Sequence, residues 1–281
     1  MRIVMDDAGD IPADVIEKYN IDIIPINIAF GTEQYLSGIE MDHAMFYQRA
    51  KTVEASSFPK TSQPTPYQFV EKYKSIMADG ENEIYSVTVG QKLSGTYASA
   101  MQAAQELEGQ GTFHAFDSQA ATAAQGYMAI EAARMAHTGA SADEITAKLK
   151  QMVADMVVVF TIDSLEYAVK GGRVSSLKSV MASLLNIKPI MRLEDGAVVE
   201  AGRVRTRKRA LSHIIELVQH EVKDKPVRVA VIHANAAGEA AILAEKARGR
   251  LNVVEEMTVD MAVAVAVNLG PGALGLVAIP A

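Results

Sequence analysis

E-I-Y-S-V-T-V-G-Q-K-L-S-G-T-Y-A-S-A-M-Q-A-A, residues 83–104, joins two patterns that are typical of an α/β domain. Its first part, residues 84–89, is β-branched and aromatic, which predicts a buried strand that ends at Gly90. Its second part is rich in alanine and methionine and predicts a helix with Ser94 as the N-cap. Free N–H groups and the positive end of the helix dipole then face the loop, so this turn can bind an anion. Gly95 leaves the turn free of side chain, and the hydroxyls of Ser94 and Thr96 add donors.

A capped crossover helix in an ordinary α/β domain has the same pattern, so this turn alone leaves both interpretations open. A second segment, K-T-S-Q-P-T-P at residues 60–66, adds two more hydroxyls, Thr61 and Ser62. Its prolines disfavour helix at Gln63 and Thr65 and stiffen the loop before the next helix.

These two segments together resemble the DegV family of bacterial fatty-acid-binding proteins. Three further segments match in the same chain order: L-E-Y-A-V-K-G-G-R-V from Leu165, I-K-P-I from Ile187, and G-P-G-A-L-G from Gly270. His233, in V-I-H-A, matches as well. Each motif is weak alone, but the resemblance in this order and spacing covers essentially the whole chain.

The resemblance implies two α/β domains with mostly parallel sheets and a ligand site between them. It implies that a long-chain fatty acid such as palmitate is buried there, with its carboxylate held by the Thr61 and Ser94 hydroxyls. Ser62, Gly95 and Thr96 would support that site. It also implies that a separate fatty acid kinase phosphorylates the bound carboxylate, so that this chain is a lipid-binding protein rather than an enzyme.

One position departs from the family pattern. Members commonly have a histidine two residues before G-P-G, close to the ligand carboxylate, and Asn268 stands there in this chain. Asparagine can donate a hydrogen bond but cannot carry a charge or shuttle a proton. Asn268 is therefore expected to support carboxylate binding without acting as a base.

The composition and charge of the chain argue against several classes of function and of binding site. The 281 residues carry a net charge of −7, which argues against non-specific binding to nucleic acid. The absence of cysteine excludes disulfides, thiolate nucleophiles and cysteine-based metal sites. The sequence shows neither a signal-peptide pattern nor an apolar run long enough to span a membrane, so we expect a cytoplasmic protein.

Alternating strand and helix patterns run along the chain and predict two α/β domains, residues 1–156 and 157–281. No proline- or glycine-rich linker marks that boundary. The predicted strands cover residues 2–5, 21–30, 84–89, 113–116, 157–162, 187–192, 197–201, 227–232, 252–257 and 274–279. The predicted helices cover residues 42–52, 66–77, 121–136, 142–154, 164–170, 175–185, 206–222 and 238–249, with one more after Ser94 and one after Asp260.

Five basic residues crowd positions 203–209. A solvated helix start explains such a cluster, and so does a patch for a phosphate-bearing partner or for the ligand head. In the second interpretation Arg205 faces the partner, and Arg173 joins it from a neighbouring loop.

In G-P-G, Gly270 and Gly272 permit a tight turn and a close backbone approach.

The alternative function is a small-molecule hydrolase or kinase that uses Ser94 with Asp6 or Asp117. The elbow pattern G-x-S-x-G and the phosphate-binding pattern G-x-x-x-x-G-K-[ST] are both absent, which argues against it. No H-x-x-x-H pair or EF-hand spacing predicts a metal site, and no cofactor is expected. The candidates for the lining of a tail pocket are Met181, Leu184, Leu185 and residues 261–267. Ordinary core packing explains these apolar residues equally well.

Overall fold

The computed structural model describes residues 1–54, 57–163, 165–174 and 187–281. The helix expected at 175–185, with the tail-pocket candidates Met181, Leu184 and Leu185, lies outside the described residues. Within the described ranges the strands are β1 (Arg2–Asp6), β2 (Asp22–Ile24), β3 (Asn27–Phe30), β4 (Glu33–Leu36), β5 (Lys60–Ser62), β6 (Glu83–Thr88), β7 (Thr112–Asp117), β8 (Val157–Thr161), β9 (Lys188–Glu194), β10 (Ala197–Val204), β11 (Pro226–His233), β12 (Asn252–Asp260) and β13 (Leu274–Pro280).

Most helices start and end close to the residues that the sequence patterns predict. The helices of the described ranges are α1 (Ala13–Tyr19), α2 (His43–Ala50), α3 (Pro66–Ala78), α4 (Thr96–Glu106), α5 (Thr122–His137), α6 (Ala142–Asp155), α7 (Leu165–Gly171), α8 (Arg207–Val222), α9 (Ala237–Arg248) and α10 (Val263–Leu269). Side-chain caps fix several starts. Thr65 and Gln68 form a capping box at α3, where Pro66 occupies the first turn, and Ser141 and Glu144 form one at α6.

The first sheet has four parallel strands in the order β2-β1-β6-β7. Parallel strands need crossover connections, and α3 and α4 supply them on one face of this sheet. The carboxyl ends of β1 and β6 therefore meet at one edge, where the loops that follow Asp6 and Thr88 lie side by side. The α/β class is confirmed, and the parallel prediction is correct for this sheet.

The second sheet has six strands in the order β10-β9-β8-β13-β11-β12, and only β11 and β12 pair in parallel. The expectation of a mostly parallel sheet is wrong here. β9 and β10 are joined by a tight turn at Asp195 and Gly196, both with positive φ, and such a hairpin forces antiparallel pairing. The final strand, β13, also enters the sheet against the direction of both of its neighbours.

The strand predicted at 21–30 is in fact two strands in different sheets. Pro25 separates β2, at the edge of the first sheet, from β3. β3 pairs with β4 and β5 in a small antiparallel sheet, and in that sheet Thr61 lies opposite Ile28. Thr61 therefore sits on a strand rather than in the loop that the two prolines predicted.

Helix α5 lies between the two large sheets and contacts both. Gln125 Nε2 donates to the Val87 carbonyl of β6 at 3.2 Å, and the Tyr127 hydroxyl donates to the Val229 carbonyl of β11 at 2.8 Å. Eleven of the sixteen residues of α5 are buried, so it is a core helix with no broad solvent face. One apolar cluster runs through this helix from Ile3 in β1 to Val277 in β13. The division into residues 1–156 and 157–281 falls between α6 and β8 and stays a prediction.

No helix within the described ranges is both long and apolar enough to cross a membrane.

Candidate functional site

A cavity of about 110 Å³ opens between the edge of the first sheet and one face of the second. Five polar residues singled out in the sequence line it: Thr61, Ser62, Ser94, Arg173 and Asn268. They come from β5, the loop before α4, the segment after α7, and α10. The tertiary fold thus brings together hydroxyl and amide donors that are up to 207 positions apart in the chain.

Ser94 does not cap the helix that follows it. Helix α4 begins at Thr96 with Gly95 as the N-cap, and within the described ranges no side-chain cap bond forms there. The Ser94 hydroxyl instead pairs with Thr96 Oγ1 at 2.9 Å, while Ser94 N donates to the Gly90 carbonyl at 3.0 Å. Ser94 belongs to a turn of its own just before the helix, which leaves its hydroxyl at the cavity and the N–H groups of α4 without a side-chain partner.

Gly95 lies against the side chain of Gln63, in the loop that follows Thr61. A Cβ atom built on Gly95 would lie 2.6 Å from Nε2 of Gln63, well inside van der Waals contact. Glycine at this position leaves room for the Gln63 amide beside the start of α4, although that amide is the flexible end of a side chain. The hydroxyl of Thr96, a fully buried residue, forms a hydrogen bond with the Ser94 hydroxyl. Gly95 and Thr96 thus shape the site without lining the cavity themselves.

Asn268 links the last helix to β5. Its Nδ2 donates to the Ala264 carbonyl at 2.8 Å, within α10, and to Thr61 Oγ1 at 3.4 Å. The second bond is long and therefore weak, so a competing acceptor can displace it at little cost. The amide is anchored by its helix and presents a donor to the space beside Thr61.

Arg173 is the one charged side chain among the described residues that line the cavity. Its Nε donates to the Leu93 carbonyl at 3.2 Å and its Nη1 to the Gly171 carbonyl at 2.7 Å, which holds the guanidinium beside the Ser94 turn. Arg205 does not line the cavity. It is exposed at the end of β10, and the structure gives it no hydrogen bond or ion pair within the described ranges.

Two other arginines of the basic cluster at positions 203–209, Arg203 and Arg207, form ion pairs within the protein. Arg207 donates to both carboxylate oxygens of Glu239 at 3.0 Å and to the Gly272 carbonyl at 2.7 Å, with a side chain that is 17 % exposed. Arg203 pairs with Glu200. Arg207 therefore ties α8 to the G-P-G turn, a role that the clustering of charges in the sequence did not reveal.

The G-P-G turn brings the backbone close to α7, as its glycines predict. Gly270 has φ +82°, and a Cβ there would lie 2.8 Å from Cγ of Tyr167. Gly272 has φ +86°, and a Cβ there would lie 2.8 Å from Cβ of Asp163. Both the backbone conformation and the close contact require glycine, and together they fix the end of α10 that carries Asn268.

The apolar wall of the cavity is one face of the second sheet. Val158 and Phe160 alternate along β8 toward the cavity, while Val159 between them packs in the core on the opposite face. Neighbouring strands and α10 add further apolar residues: Leu193, Val198, Ile232, Ala264, Val265 and Leu269. Of the run 261–267 that the sequence suggested, Ala264 and Val265 line this cavity. The sheet residues were missed because nothing in an apolar strand distinguishes a cavity wall from a packed core.

Thr122 is a further residue that the sequence did not single out. It lines the cavity at the start of α5 with φ +56°, a conformation that β-branched residues rarely adopt. Its N–H donates to the Ala8 carbonyl at 2.6 Å, which joins α5 to the loop after β1. Such a conformation costs about 1–3 kcal/mol and persists only where the surroundings enforce it.

Asp6 and Asp117 hold the loops around the cavity. Asp6 accepts from Val89 N at 2.7 Å and from Ala8 N at 3.1 Å, while burial raises the pKa of its carboxyl to about 6. Asp117 accepts from the N–H groups of Gln91 and Gln119, each at 3.0 Å. Both carboxylates are occupied by backbone donors, as expected of residues that fix loop conformation.

The geometry gives no support to a catalytic role for Ser94. A serine nucleophile needs a base beside its hydroxyl, and no histidine stands among the described residues that line the cavity. His233 is instead the last residue of β11, where its Nδ1 lies 3.4 Å from Asp260 Oδ1. In the parts of the chain that the structure describes, no three histidine or acidic side chains are arranged to hold a metal ion.

The cavity is mostly apolar and has hydroxyl, amide and guanidinium donors at one end, a combination that suits an amphiphilic anion. Comparison with known proteins places the chain in a family. The family model described as "Uncharacterised protein, DegV family" matches residues 1–281, and the chain belongs to the DegV family.

The relatives support this assignment along the whole chain. Protein DegV of Bacillus subtilis (strain 168) is 34 % identical over 278 residues, which cover 98 % of each chain. Among solved structures, that of DegV from Bacillus subtilis, described as a fatty acid binding protein, is 32 % identical, covers 100 % of this chain and 99 % of its own, and has a TM-score of 0.87. A DegV family protein from Thermus thermophilus, described by its fatty acid binding, is 29 % identical with full coverage of both chains and a TM-score of 0.91.

Proposed function

We propose that this protein binds a long-chain fatty acid in the cavity between its two large sheets. The observation that carries the proposal is the division of the cavity lining: one end holds Thr61, Ser94, Asn268 and Arg173, and most of the other lining residues are apolar. The fatty acid binding described for the relatives from Bacillus subtilis and Thermus thermophilus supports it. In this proposal the cavity separates an N-terminal domain, residues 1–156, from a C-terminal domain, residues 157–281.

The carboxylate is proposed to lie at the polar end, where it accepts hydrogen bonds from the Thr61 and Ser94 hydroxyls. A buried carboxylate must replace the hydrogen bonds that it loses with water, and two hydroxyls with the Asn268 amide can do so. The bond between the Ser94 and Thr96 hydroxyls can run in either direction, and when Thr96 donates to Ser94 Oγ the Ser94 hydrogen is free to turn toward the ligand. Arg173 adds a positive charge at the same end.

The acyl chain is proposed to follow the apolar face of β8, β9 and β10. Each buried CH₂ contributes roughly 0.8 kcal/mol, so a chain of palmitate length supplies most of the affinity while the head group fixes the orientation. The lining carries no acidic side chain among the described residues, which favours an anionic ligand over a cationic one.

We propose further that the bound acid is presented to a separate fatty acid kinase, as the family resemblance implies. The chain has no nucleotide-binding pattern G-x-x-x-x-G-K-[ST], so phosphoryl transfer would need a partner. Ser94 and Arg173 both lie at the polar end, where a carboxylate oxygen would have to meet the phosphoryl donor. Arg205 is exposed and suits contact with that partner rather than with the acid.

Extraction of the purified protein with organic solvent, followed by mass spectrometry, tests the binding proposal. We expect a C16 or C18 acid at close to one molecule per chain, and we expect delipidated protein to take up palmitate or oleate. Extracts free of fatty acid from several preparations, together with no uptake of either acid, would overturn the proposal.

A further inference from the structure

A second cavity, of about 380 Å³, lies on the other side of the loop that follows β1. It shares no residue with the fatty-acid cavity, although the two are separated by a single layer of chain. In the segment 7–10, Ala8 faces the first cavity, while Asp7, Gly9 and Asp10 face the second. In the segment 262–265, Ala264 and Val265 line the first, and Ala262 and Val263 line the second.

The ionisable groups of the second cavity are mostly acidic. Asp7, Asp10 and Asp260 line it together with His43, and neither lysine nor arginine is present among the described lining residues. His43 Nε2 donates to the Met261 carbonyl at 2.9 Å, so that nitrogen is not available to pair with a carboxylate. The cavity therefore has a negative potential that no cationic side chain on its walls compensates.

All three carboxylates accept a hydrogen bond from a backbone N–H group, and in the described chain neither Asp7 nor Asp260 has a buried oxygen left without a partner. Asp7 Oδ1 accepts from Ile26 N at 2.8 Å. Asp260 Oδ1 accepts from the Tyr47 hydroxyl at 2.6 Å and from Asn235 N at 3.2 Å. These two groups fix loops and have their partners within the chain.

Asp10 differs from both. Its Oδ1 accepts from Ala262 N at 2.7 Å, but its Oδ2 has no hydrogen-bond partner among the described residues, although the side chain is only 6 % exposed. A buried carboxylate oxygen without a donor is costly, and it is the kind of group that a ligand completes. Burial, with Asp7 and Asp260 nearby, also raises the pKa of Asp10 well above its ordinary value, and a cation bound at Oδ2 would reverse that effect.

Most of the other lining residues are apolar, which limits the chemistry of the ligand that can bind, although Ser37 and Thr258 also line the cavity. Apolar side chains from the loop after β1, α1, β2, β12 and α10 line the same cavity: Ile11, Ile16, Ile23, Val259 and Val263. A bare metal ion would find too few ligands, since no three acidic or histidine side chains in the described chain are placed to hold one. An alkylammonium ion fits better, because its three N–H donors satisfy carboxylate oxygens and its hydrocarbon body packs on the isoleucines and valines.

We propose that this second cavity binds a small primary amine as its alkylammonium ion, with the ammonium group donating to Asp10 Oδ2. The ligand also touches Asp7 and Asp260 at the same end of the cavity. Because α2, the loop after β1 and the segment before α10 all contribute to the walls, the bound amine joins elements from both halves of the chain.

Titration of the protein with n-butylammonium chloride, followed by isothermal calorimetry and by amide NMR shifts, tests the proposal. We expect saturable binding, with shifts at the amides of Ala262 and Gly38, and much weaker binding of 1-butanol, which has the same body without the charge. Asp10→Asn should weaken n-butylammonium binding at least tenfold. Asp143→Asn, which removes one charge from the exposed first turn of α6, should leave it unchanged.

Asn at position 10 retains an acceptor for Ala262 N, so the variant is expected to fold. Should it not fold, the comparison of n-butylammonium with 1-butanol and the location of the shifted amides in the wild-type protein decide the question. Absence of saturable binding, equal binding of the amine and the alcohol, shifts confined to amides of the first cavity, or full affinity in folded Asp10→Asn would each overturn the proposal.

Discussion

Asn268 Nδ2 lies 3.4 Å from Thr61 Oγ1 and joins α10 to β5 across 207 positions of sequence. The amide is anchored at the Ala264 carbonyl, so its position relative to Thr61 is set by the helix. This contact is one of the points at which the two halves of the chain meet at the polar end of the cavity, together with the bond from Arg173 to the Leu93 carbonyl. A substitution at either residue should therefore change the affinity of the site for the head group of the ligand.

Asn268→Asp should weaken palmitate binding more than Asn268→Ala does. The alanine variant only loses a donor, whereas the aspartate places a like charge beside the bound carboxylate, and an added charge of this kind costs roughly tenfold or more in affinity. Because protonation relieves the repulsion, the gap between the two variants should be wider at pH 8 than at pH 5. Calorimetry at both pH values measures it, and equal affinities of the two variants at pH 8 would place the carboxylate away from Asn268.

Arg205 and Arg173 should respond differently to substitution by alanine. Arg173 lines the cavity and Arg205 does not, so Arg173→Ala should lower palmitate affinity while Arg205→Ala leaves it unchanged. In an assay with a cognate fatty acid kinase, Arg205→Ala should nevertheless reduce acyl-phosphate formation. Wild-type turnover by Arg205→Ala at limiting kinase would mean that this residue belongs to a solvated face.

Asp7→Asn should change how the free energy of unfolding depends on pH. Burial raises the pKa of Asp7 to about 7 from 3.8, so between these values the folded state binds more protons than the unfolded state. Stability contributed by the neutral carboxyl is thus present below about pH 4 and is lost as pH rises through about 7. Asparagine stays neutral and keeps an acceptor for Ile26 N.

Urea denaturation at pH 5 and pH 8 checks this expectation. The loss of stability between the two values should be smaller in Asp7→Asn than in the wild type, and the variant should be the more stable of the two at pH 8. If the variant and the wild type lost the same free energy of unfolding between pH 5 and pH 8, Asp7 would have an ordinary pKa in the folded protein.

Gly270→Ala should destabilise the protein more than Gly80→Ala. Both glycines have positive φ, +82° and +92°, so each substitution carries a backbone cost of about 1 kcal/mol. Only at Gly270 does the new Cβ meet another residue, since nothing lies within 4 Å of the corresponding position at Gly80. Denaturant midpoints of the two variants give the difference, and equal midpoints would show that Tyr167 moves aside freely.

The sequence predicted most of the helices and strands because their local signals are strong. Thr65, Pro66 and Gln68 define the start of α3, and the prediction at 66–77 is close to the observed Pro66–Ala78. Long-range pairing is less visible. Nothing local shows that Pro25 divides 21–30 between two sheets, or that residues 60–62 pair with β3, because such strands are stabilised by distant partners.

The candidate site was predictable only in part for the same reason. Glycine and hydroxyl residues in unusual patterns pointed to Thr61 and Ser94, but the cap assigned to Ser94 was wrong because Gly95 takes that position. The apolar wall at Val158, Phe160 and Ile232 has the alternation of any half-buried strand. Asp10 carries no local signal at all, since its unpartnered oxygen depends on where Ala262 and Asp260 lie in the fold.

The central claim is that the hydroxyls of Thr61 and Ser94 bind the carboxylate of a fatty acid. Loss of a hydrogen bond to a charged group costs about 1.5–3 kcal/mol, roughly ten- to a hundredfold in affinity. Ser94 makes no cap bond to α4, but Ser94→Ala leaves the buried Thr96 hydroxyl without its partner, so it should lower affinity and also cost about 1–3 kcal/mol of stability. Thr61→Ser, which retains the hydroxyl, should be mild. The methyl ester should bind the wild type poorly and respond little to either change.

Isothermal titration of delipidated wild type, Thr61→Ala, Thr61→Ser and Ser94→Ala with palmitate and with methyl palmitate is the most direct test. The account predicts a ten- to a hundredfold weaker affinity for the acid in each alanine variant, near wild-type affinity in Thr61→Ser, and almost no change for the ester. Folded alanine variants that bind palmitate as tightly as the wild type would contradict it, because the carboxylate would then lie elsewhere.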